Sequence, residues 1–333
     1  MLNTMQLAKK RISVVIPLYN KADTILQTLQ SVLEQTYAAD EIIVVDDGST
    51  DSGIDKVEKT YGEQVIIIKQ SNAGVSAARN RGIEAAKGDF VAFLDADDFW
   101  SAHYIEEIQR MIKRYPQAGL IGTRYQYLDS GNRYSNPKIR FDNKSSLFGE
   151  SQLKQGIMSS YFAISARGDL PFNASTVTMK KTLLRTLKGF PVGEAMGEDQ
   201  DLWARAALSS VIAYSPRVLG FYNRAADNRT CNNKPAGVES PFSQRLHRYA
   251  KACPDKSLRA EIIDYTAAHL RHLALQNIYA GQYSNAKNLL SDPRCARQWF
   301  KYARICYLLK RAQGLQSIGR FNSPQLHPLH LKI

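Results

Sequence analysis

The sequence predicts an α/β fold with a mostly parallel central sheet, helices on both faces, and a C-terminal helical extension. Short, nearly continuous apolar runs alternate with helical patterns through the first 125 residues. Strands buried on both faces of a parallel sheet have such runs. The chain has 333 residues, of which 44% are hydrophobic and 23% charged. This composition is typical of globular proteins and excludes a disordered, collagenous or disulfide-rich chain.

The first half of the chain contains four strand–helix pairs. The β-branched run Ile12–Ile16 predicts the first strand, and Pro17 ends it. Residues 22–36 carry an apolar stripe with helical spacing, and Asp23 is the expected N-cap. The remaining elements are strands at 41–45, 64–69 and 90–94, and helices at 51–61, 74–86 and 101–115 with Ser101 as the cap.

The second half is less regular. Residues 126–172 are rich in Ser, Asn, Gly and Arg and predict mostly loop after a strand at 118–127. Further strands are expected at 173–180 and 211–223, and further helices at 181–187, 197–209, 260–280, 282–290 and 295–312. We therefore predict one α/β domain over residues 1–235, with halves at about 11–125 and 126–235, and a helical region over 236–333.

The net charge of +13 is unevenly distributed. Residues 1–244 contain 29 basic and 27 acidic side chains, whereas residues 245–333 contain 15 basic and 4 acidic ones. The basic character therefore belongs to the helical region and says little about the α/β domain.

Neither a signal peptide nor a transmembrane helix is expected, because the apolar run Ile12–Leu18 is too short for either. The four cysteines show no CxxC spacing, so we predict reduced thiols rather than a metal site. These features favour a cytoplasmic location.

Two acidic loops follow predicted strands. Asp95, Asp97 and Asp98 lie within four residues, where three carboxylates repel one another unless a cation neutralises them. Mg²⁺ and Mn²⁺ prefer such oxygen ligands and often bridge to phosphates. The alternative is an Asp-rich turn before the next helix. Because ligands bind at the carboxyl ends of parallel strands, the position favours a functional site.

The second acidic loop is Asp46-Asp47-Gly48-Ser49-Thr50-Asp51. Ser49 to Asp51 are suited to capping the next helix, which explains part of the motif structurally. Two adjacent acids exceed what capping needs, so one of them is a candidate acceptor for a base N–H or a ribose hydroxyl.

Four ordered motifs resemble those of the family 2 glycosyltransferases, which are inverting enzymes with the GT-A fold. They are ISVVIPLYN, EIIVVDDGSTD, NAGVSAARNRGIEAAKGDFVAFLDADD and GEDQDLW. The resemblance covers about residues 11–110 and resumes near 173–225. It implies that the first half of the domain binds a nucleotide-activated sugar and the second half binds the acceptor.

The resemblance implies roles for individual residues. The donor nucleotide would be bound by Pro17, Tyr19, Asn20, Asp47, Asn72, Arg79, Asp95, Ala96 and Asp97. Asp47 would accept from a uracil ring, which favours a uridine diphosphate donor. Asp95-Ala96-Asp97 resembles the DxD motif, with Asp97 and Asp98 holding Mn²⁺ or Mg²⁺.

The acidic start of the helix at 197–209 resembles the family's catalytic ED pair. Asp199 would be the catalytic base that takes a proton from the acceptor hydroxyl, with Glu198 and Asp201 as adjacent rivals. The alternative for Asp199 is a helix N-terminal acid favoured by the dipole. Glu198, Asp201, Trp203 and Arg224 are candidate contacts for the acceptor or the diphosphate, although Trp203 is equally suited to the core.

The implied function is metal-dependent, inverting transfer of one sugar to a saccharide or lipid-linked acceptor in cell-surface polysaccharide biosynthesis. No QxxRW-like string follows Asp199, which favours a non-processive bacterial enzyme. One alternative is a nucleotidyltransferase, but the loop Pro17-Leu18-Tyr19-Asn20 is not the Gly-rich basic loop expected there. A non-catalytic nucleotide-sugar-binding protein is the other alternative.

The segment RQWFKYARICYLLKR at 297–311 predicts a basic amphipathic helix. One stripe carries Arg297, Lys301, Arg304 and Arg311, and another carries Trp299, Tyr302, Cys306 and Leu309. Such a helix binds an anionic membrane surface, which would place the protein on the inner face of the membrane. The alternative is a packing helix with a solvated basic face. We do not expect nucleic acid as a partner.

Overall fold

The computed structural model describes residues 9–141, 148–149, 152–153, 156–194, 196–226 and 235–317. The chain divides into two compact units, Met1–Ile164 with Asp169–Asn228, and Ser165–Gly168 with Arg229–Ile333. The division thus falls between residues 228 and 229, where the sequence predicted 235 and 236. The segment 165–168 belongs to the second unit, which the sequence did not indicate.

The first half of the α/β unit is a parallel sheet that confirms the predicted alternation. Its elements are β1 (Ile12–Leu18), α1 (Ile25–Leu33), β2 (Glu41–Asp46), α2 (Gly53–Tyr61), β3 (Ile66–Lys69), α3 (Val75–Ala85) and β4 (Phe90–Phe93). The strands lie in the order β3-β2-β1-β4, and all neighbours run parallel. Their carboxyl ends therefore meet along one edge.

The second half of this unit extends the sheet. Its elements are β5 (Phe99–Trp100), α4 (Tyr104–Arg114), β6 (Ala118–Asp129), β7 (Arg133–Ser135), β8 (Phe148–Gly149), β9 (Gln152–Leu153), β10 (Gly156–Ile157), α5 (Tyr161–Ser165), β11 (Val177–Lys180), α6 (Lys181–Thr186), α7 (Glu198–Ser209) and β12 (Val211–Asn223). The order continues from β4 through β11, β6 and β12 to β10, whereas β8 and β9 form a separate two-stranded sheet. β11 runs antiparallel to β4 and β6, so the sheet is mixed here.

Several element boundaries differ from the prediction. Thr24, not Asp23, lies at the N-cap of α1, and its side chain makes no capping bond. His103, not Ser101, precedes α4. Residues Ala174–Thr176 form a 3₁₀ turn where a strand was expected, because Asn173 and Thr176 form a reciprocal capping box. The short β5 was not predicted.

The two faces of β1 pack against different helices. Ile12, Val14 and Ile16 share a core with residues of α1, α2 and α4. Val15 points to the other face, where Gly82 of α3 approaches it so closely that an added Cβ would overlap its side chain. α3 therefore lies against β1 at a distance that only glycine permits.

The second unit consists of helices in its described residues. They are α8 (Pro241–Ala252), α9 (Lys256–Tyr279), α10 (Tyr283–Leu290) and α11 (Trp299–Ser317), with a 3₁₀ segment at Pro293–Gln298. Asp255 caps α9 by accepting from the backbone N–H groups of Ser257 and Leu258. Among the described residues, no helix combines the length and apolar character needed to cross a bilayer.

Three of the four residues in the aromatic stripe of the predicted basic helix pack within the helical unit. Leu309 lies in the core of the helical unit, and Tyr302 and Cys306 pack against that core. Arg297 precedes α11 and pairs with Asp264 at 2.6 Å. Trp299 is instead 62% exposed, so the predicted aromatic stripe is only partly buried.

We predict that Gly82→Ala lowers the free energy of unfolding by about 1–3 kcal/mol, because the new methyl group must displace α3 from β1. Gly314→Ala in α11 is the matched control, since its Cβ would meet no atom of the described residues within 4 Å. It should be neutral or stabilising by up to about 1 kcal/mol. Denaturant unfolding measures both, and equal effects of the two variants would contradict the close contact.

Candidate active site

The three carboxylates in the loop after β4 differ in their exposure and in their partners. The side chains of Asp95 and Asp97 remain 26% and 16% exposed, and each makes an ion pair. Asp98 is buried at 1% exposure. The acidic loop therefore offers two accessible carboxylates rather than three.

Asp98, a predicted metal ligand, is hydrogen-bonded to two distant segments of the α/β unit. Its two oxygens accept hydrogen bonds from the Ser175 hydroxyl and from the backbone N–H of Asn223. Burial, together with Asp97 and Asp95 nearby, raises the pKa of Asp98 well above its ordinary value. Asp98 therefore ties the loop to the 3₁₀ turn and to the end of β12, and its metal role stays a prediction.

Arg79 joins the acidic loop to the start of α7. Its guanidinium donates to Asp95 at 2.7 Å and to Glu198 at 3.0 Å, although Glu198 lies 119 residues further along the chain. Arg79 is buried, and its guanidinium lies over the ring of Phe190 at 5.1 Å from the centroid. The two carboxylates outweigh the effect of burial and raise the pKa of Arg79, so it stays charged.

Asp199 lies beside this ion-pair cluster in the first turn of α7. Its Oδ1 accepts from the backbone N–H of Gln200 at 2.6 Å. Burial and the neighbouring charge of Glu198 raise the pKa of Asp199 to about 7, while Arg79 opposes the shift. A carboxylate with this pKa is well suited to accept a proton near neutral pH.

The loop after β1 is tied to the loop after β2. Asn20 adopts φ +51°, a left-handed conformation that asparagine tolerates. Its side-chain oxygen accepts from the backbone N–H of Thr50 at 2.8 Å, and its own N–H donates to the Ser49 hydroxyl. Pro17 is buried in β1, whereas Tyr19 is 47% exposed. Tyr19 is therefore the residue of this loop with a ring open to solvent.

Asp47 organises the loop after β3. One carboxylate oxygen accepts from the Gln70 side chain and the Ala73 backbone N–H, and the other accepts from Gly74. Asp47 is 3% exposed. These bonds hold the exposed segment that contains Asn72 at the start of α3. The uracil contact of Asp47 stays a prediction, and Asp47 already has a structural role.

Lys21 is a charged residue that the sequence did not single out. Its ammonium group lies 2.8 Å from the Asp97 carboxylate, and both side chains are largely covered. The pairing brings together the loops after β1 and β4. A single cation after a strand carries no signal in the sequence, because its partner lies 76 residues away.

The residues present fit a divalent cation that is completed by substrate. No group of three or more His, Cys, Asp or Glu side chains within the described ranges is arranged to hold a metal. Asp97 is a suitable single ligand, and Mg²⁺ is commonly held by one or two carboxylates together with phosphate oxygens. The chain would therefore supply Asp97, and a diphosphate would supply further ligands.

Three of the predicted contacts for the acceptor or the diphosphate interact with other residues of the protein. Trp203 is fully buried, with its ring between those of Phe172 and Phe190, so the core role is correct and sugar stacking is not. Asp201 is buried and pairs with Arg205. Arg224 pairs with Asp129 and lies over the Tyr127 ring. Residues 227–234, which follow shortly after Arg224, lie outside the described residues.

Asn80 is a positioning residue within the NAGVSAARNRG motif, and its role was not predicted from the sequence. Its side-chain amide donates to the carbonyl of Phe190 and accepts from the N–H of the same residue, both at 2.8 Å. α3 therefore holds the segment before α7 through Asn80 and the first turn of α7 through Arg79. The segment from Asn72 to Gly82 thus connects the acidic loop after β4 with the predicted ED pair at the start of α7.

Comparison with known proteins relates the chain to glycosyltransferases. Residues 13–170 match the model of glycosyl transferase family 2. The glycosyltransferase GlyA of Streptococcus pneumoniae is 32% identical over 227 residues, which are 65% of this chain and 31% of that protein. The chain therefore spans about a third of the length of that relative.

A second relative matches over most of its length. The UDP-Glc:alpha-D-GlcNAc-diphosphoundecaprenol beta-1,3-glucosyltransferase WfaP of Escherichia coli is 29% identical over 224 residues, covering 67% of this chain and 80% of that protein.

A solved structure shares the fold. The structure of S. aureus TarS residues 1–349 with UDP-GlcNAc covers 93% of each chain with a TM-score of 0.62 and 17% identity. That likeness concerns the fold, and the predicted GT-A architecture is confirmed. The family model and the two relatives support assigning residues 13–170 to the family 2 glycosyltransferases.

Proposed function

We propose that this chain is an inverting glycosyltransferase that moves a single sugar from a uridine diphosphate sugar to a saccharide or lipid-linked acceptor. The observation that carries the proposal is the pairing of Arg79 with both Asp95 and Glu198. This pairing brings the acidic loop after β4 next to Asp199. Inverting transfer requires such proximity, because donor and base must meet at one anomeric carbon.

Asp199 acts as the base in this proposal. The acceptor hydroxyl attacks the anomeric carbon from the side opposite to the departing diphosphate, and Asp199 takes its proton. Arg79 holds Glu198 and so orients the first turn of α7. The pKa of about 7 means that a substantial fraction of Asp199 is ionised at neutral pH and able to accept the proton.

The departing nucleoside diphosphate leaves from the loops after β1 and β4. Asp97 would hold Mg²⁺ or Mn²⁺ together with the diphosphate, and the cation would stabilise the negative charge that develops there. Lys21 neutralises Asp97 before the donor arrives, since their charged groups lie 2.8 Å apart. The exposed ring of Tyr19 is suited to lie against the nucleotide base.

The donor and acceptor classes are supported by the relatives. WfaP is named for transfer from UDP-Glc to a diphosphoundecaprenol-linked sugar, and TarS was crystallised with UDP-GlcNAc and with UDP. We extend these classes to this chain and propose a role in cell-surface polysaccharide biosynthesis. A lipid-linked acceptor would place the protein on the inner face of the membrane.

The proposal is tested by incubating the purified protein with a panel of uridine diphosphate sugars and with saccharide or lipid-diphosphate acceptors. We expect release of UDP that depends on the acceptor, together with a glycosylated product of inverted anomeric configuration. Release of pyrophosphate would indicate a nucleotidyltransferase instead. Donor binding without turnover on any acceptor would indicate a non-catalytic binding protein.

Asp199→Asn should reduce turnover by about 10²- to 10⁴-fold, because an amide cannot accept the proton. Donor affinity, measured by calorimetric titration with UDP, should change little. Asp201→Asn is the matched control on the same helix, because Asp201 pairs with Arg205. We expect this variant to keep nearly all of its turnover. If both variants lost turnover equally, the assignment of the base would be wrong.

The pH dependence of kcat/KM should show an acidic limb with a midpoint near pH 7. Asp199 must be ionised to act, so activity is present above its pKa of about 7 and is lost as the pH falls below it. Glu198→Gln removes a neighbouring charge that raises this pKa, and the limb should move to lower pH. An unchanged midpoint in Glu198→Gln would show that another group titrates.

Removal of divalent cations with EDTA should abolish turnover, and Mn²⁺ or Mg²⁺ should restore it. Asp97→Asn should raise the metal concentration required for half-maximal turnover by about tenfold or more. Asp23→Asn, an exposed acid at the start of α1, is the control with no expected effect. Calorimetry gives a second readout, since Mn²⁺ should strengthen UDP binding less in Asp97→Asn. Full activity in EDTA would remove the metal from the proposal.

A further inference from the structure

The outer face of α11 presents aromatic and basic side chains together. Phe300, Arg304, Tyr307 and Arg311 are spaced at i, i+4, i+7 and i+11, which places them on one side of the helix. All four are exposed, Phe300 at 86% and Tyr307 at 63%. We call this set the outer face of α11. It differs from the stripes that the sequence indicated, because Phe300 and Tyr307 belonged to neither.

The fold of the helical unit does not require these side chains. Ile305, Leu309 and Ala312 on the opposite side of α11 are buried in the core of the helical unit. α11 is therefore already anchored by its inner side. An exposed phenylalanine on the other side gains nothing from folding, and so large an apolar exposure on a charged helix marks a contact surface.

The charged side chains of α11 itself are all basic. No Asp or Glu occurs from residue 293 to the end of the sequence, a stretch that contains eight Lys and Arg residues. Lys310, next to Arg311, is also exposed. Trp299, which begins the helix, is 62% exposed. The surface therefore complements a partner that is anionic and able to receive aromatic rings.

We propose that the outer face of α11 binds the surface of an anionic phospholipid bilayer. The basic side chains would contact lipid headgroups, while Phe300 and Tyr307 would enter the boundary between headgroups and acyl chains. Aromatic residues favour this boundary, and basic amphipathic helices lie in its plane. A bilayer suits the exposed side of a single helix, whereas single-stranded nucleic acid is bound in grooves that follow its backbone.

This inference deepens the membrane location in the proposed function and names the surface responsible. It can fail separately, because vesicle binding requires neither donor nor acceptor. The test is co-sedimentation of the full-length protein with vesicles of phosphatidylcholine alone and of phosphatidylcholine mixed with phosphatidylglycerol. We expect binding only to the mixed vesicles, and weaker binding at high salt because the lipid charge is then screened.

Two pairs of variants locate the binding surface. Lys310→Gln with Arg311→Gln should weaken binding to anionic vesicles by roughly 10- to 30-fold. Arg248→Gln with Lys251→Gln removes the same charges from exposed positions of α8 and should have little effect. Tyr307→Ala should weaken binding several-fold, and its control is Tyr249→Ala on α8, where the tyrosine is also exposed. Circular dichroism checks that every variant remains folded.

Three results would overturn the proposal. The first is an absence of binding by the wild-type protein to anionic vesicles. Equal losses in the α11 and α8 variants would assign the binding to the overall charge of the protein. Tighter binding of a single-stranded oligonucleotide than of vesicles, lost in Tyr307→Ala, would identify nucleic acid as the partner. A catalytically silent protein that still binds vesicles through α11 would support this inference and contradict only the proposed function.

Discussion

The buried charge of Arg79 is the constraint on which the candidate site depends. A guanidinium at 3% exposure is costly unless carboxylates compensate it, and Asp95 and Glu198 both do so. Neither carboxylate can be removed without leaving part of that charge uncompensated. The ion pairs therefore hold α3, the end of β4 and the start of α7 together. Phe190, which lies against the guanidinium, is in turn packed on Trp203 in the core.

The same cluster sets the electrostatics of Asp199. Glu198 raises the pKa of Asp199, whereas Arg79 lowers it, and burial adds to the increase. The positive charge of Arg79 thus offsets part of the effect that Glu198 and burial have on the pKa of Asp199. Arg79 and Glu198 hold the site together and also influence the protonation of Asp199. This dual role explains why Arg79 and Glu198 belong to one site although they are far apart in sequence.

The sequence predicted the parallel half of the fold well because the signals there are local. Each apolar run and each helical stripe lies within one element, and the carboxyl-end rule then locates the loops. The inward orientation of Asp98 was not predictable, since it depends on Ser175 and Asn223, which lie 77 and 125 residues away. The Lys21–Asp97 pair and the burial of Trp203 likewise depend on distant partners. The antiparallel pairing of β11 with β4 was not predictable for the same reason, because a long segment of chain separates the two strands.

The charge of the chain acquires a different meaning once the two units are separated. In the α/β unit, acids and bases near the site compensate one another, so its electrostatics are local. Arg79 pairs with Asp95 and Glu198. Lys21 pairs with Asp97. In α11 the bases have no acidic neighbours along the helix, and the inner side alone accounts for the packing. A solvated basic face would need no aromatic residue, yet Phe300 is almost fully exposed. Packing among the described residues explains Ile305 and Leu309 but not Phe300, and membrane binding is the reason that we propose for an apolar ring at that position.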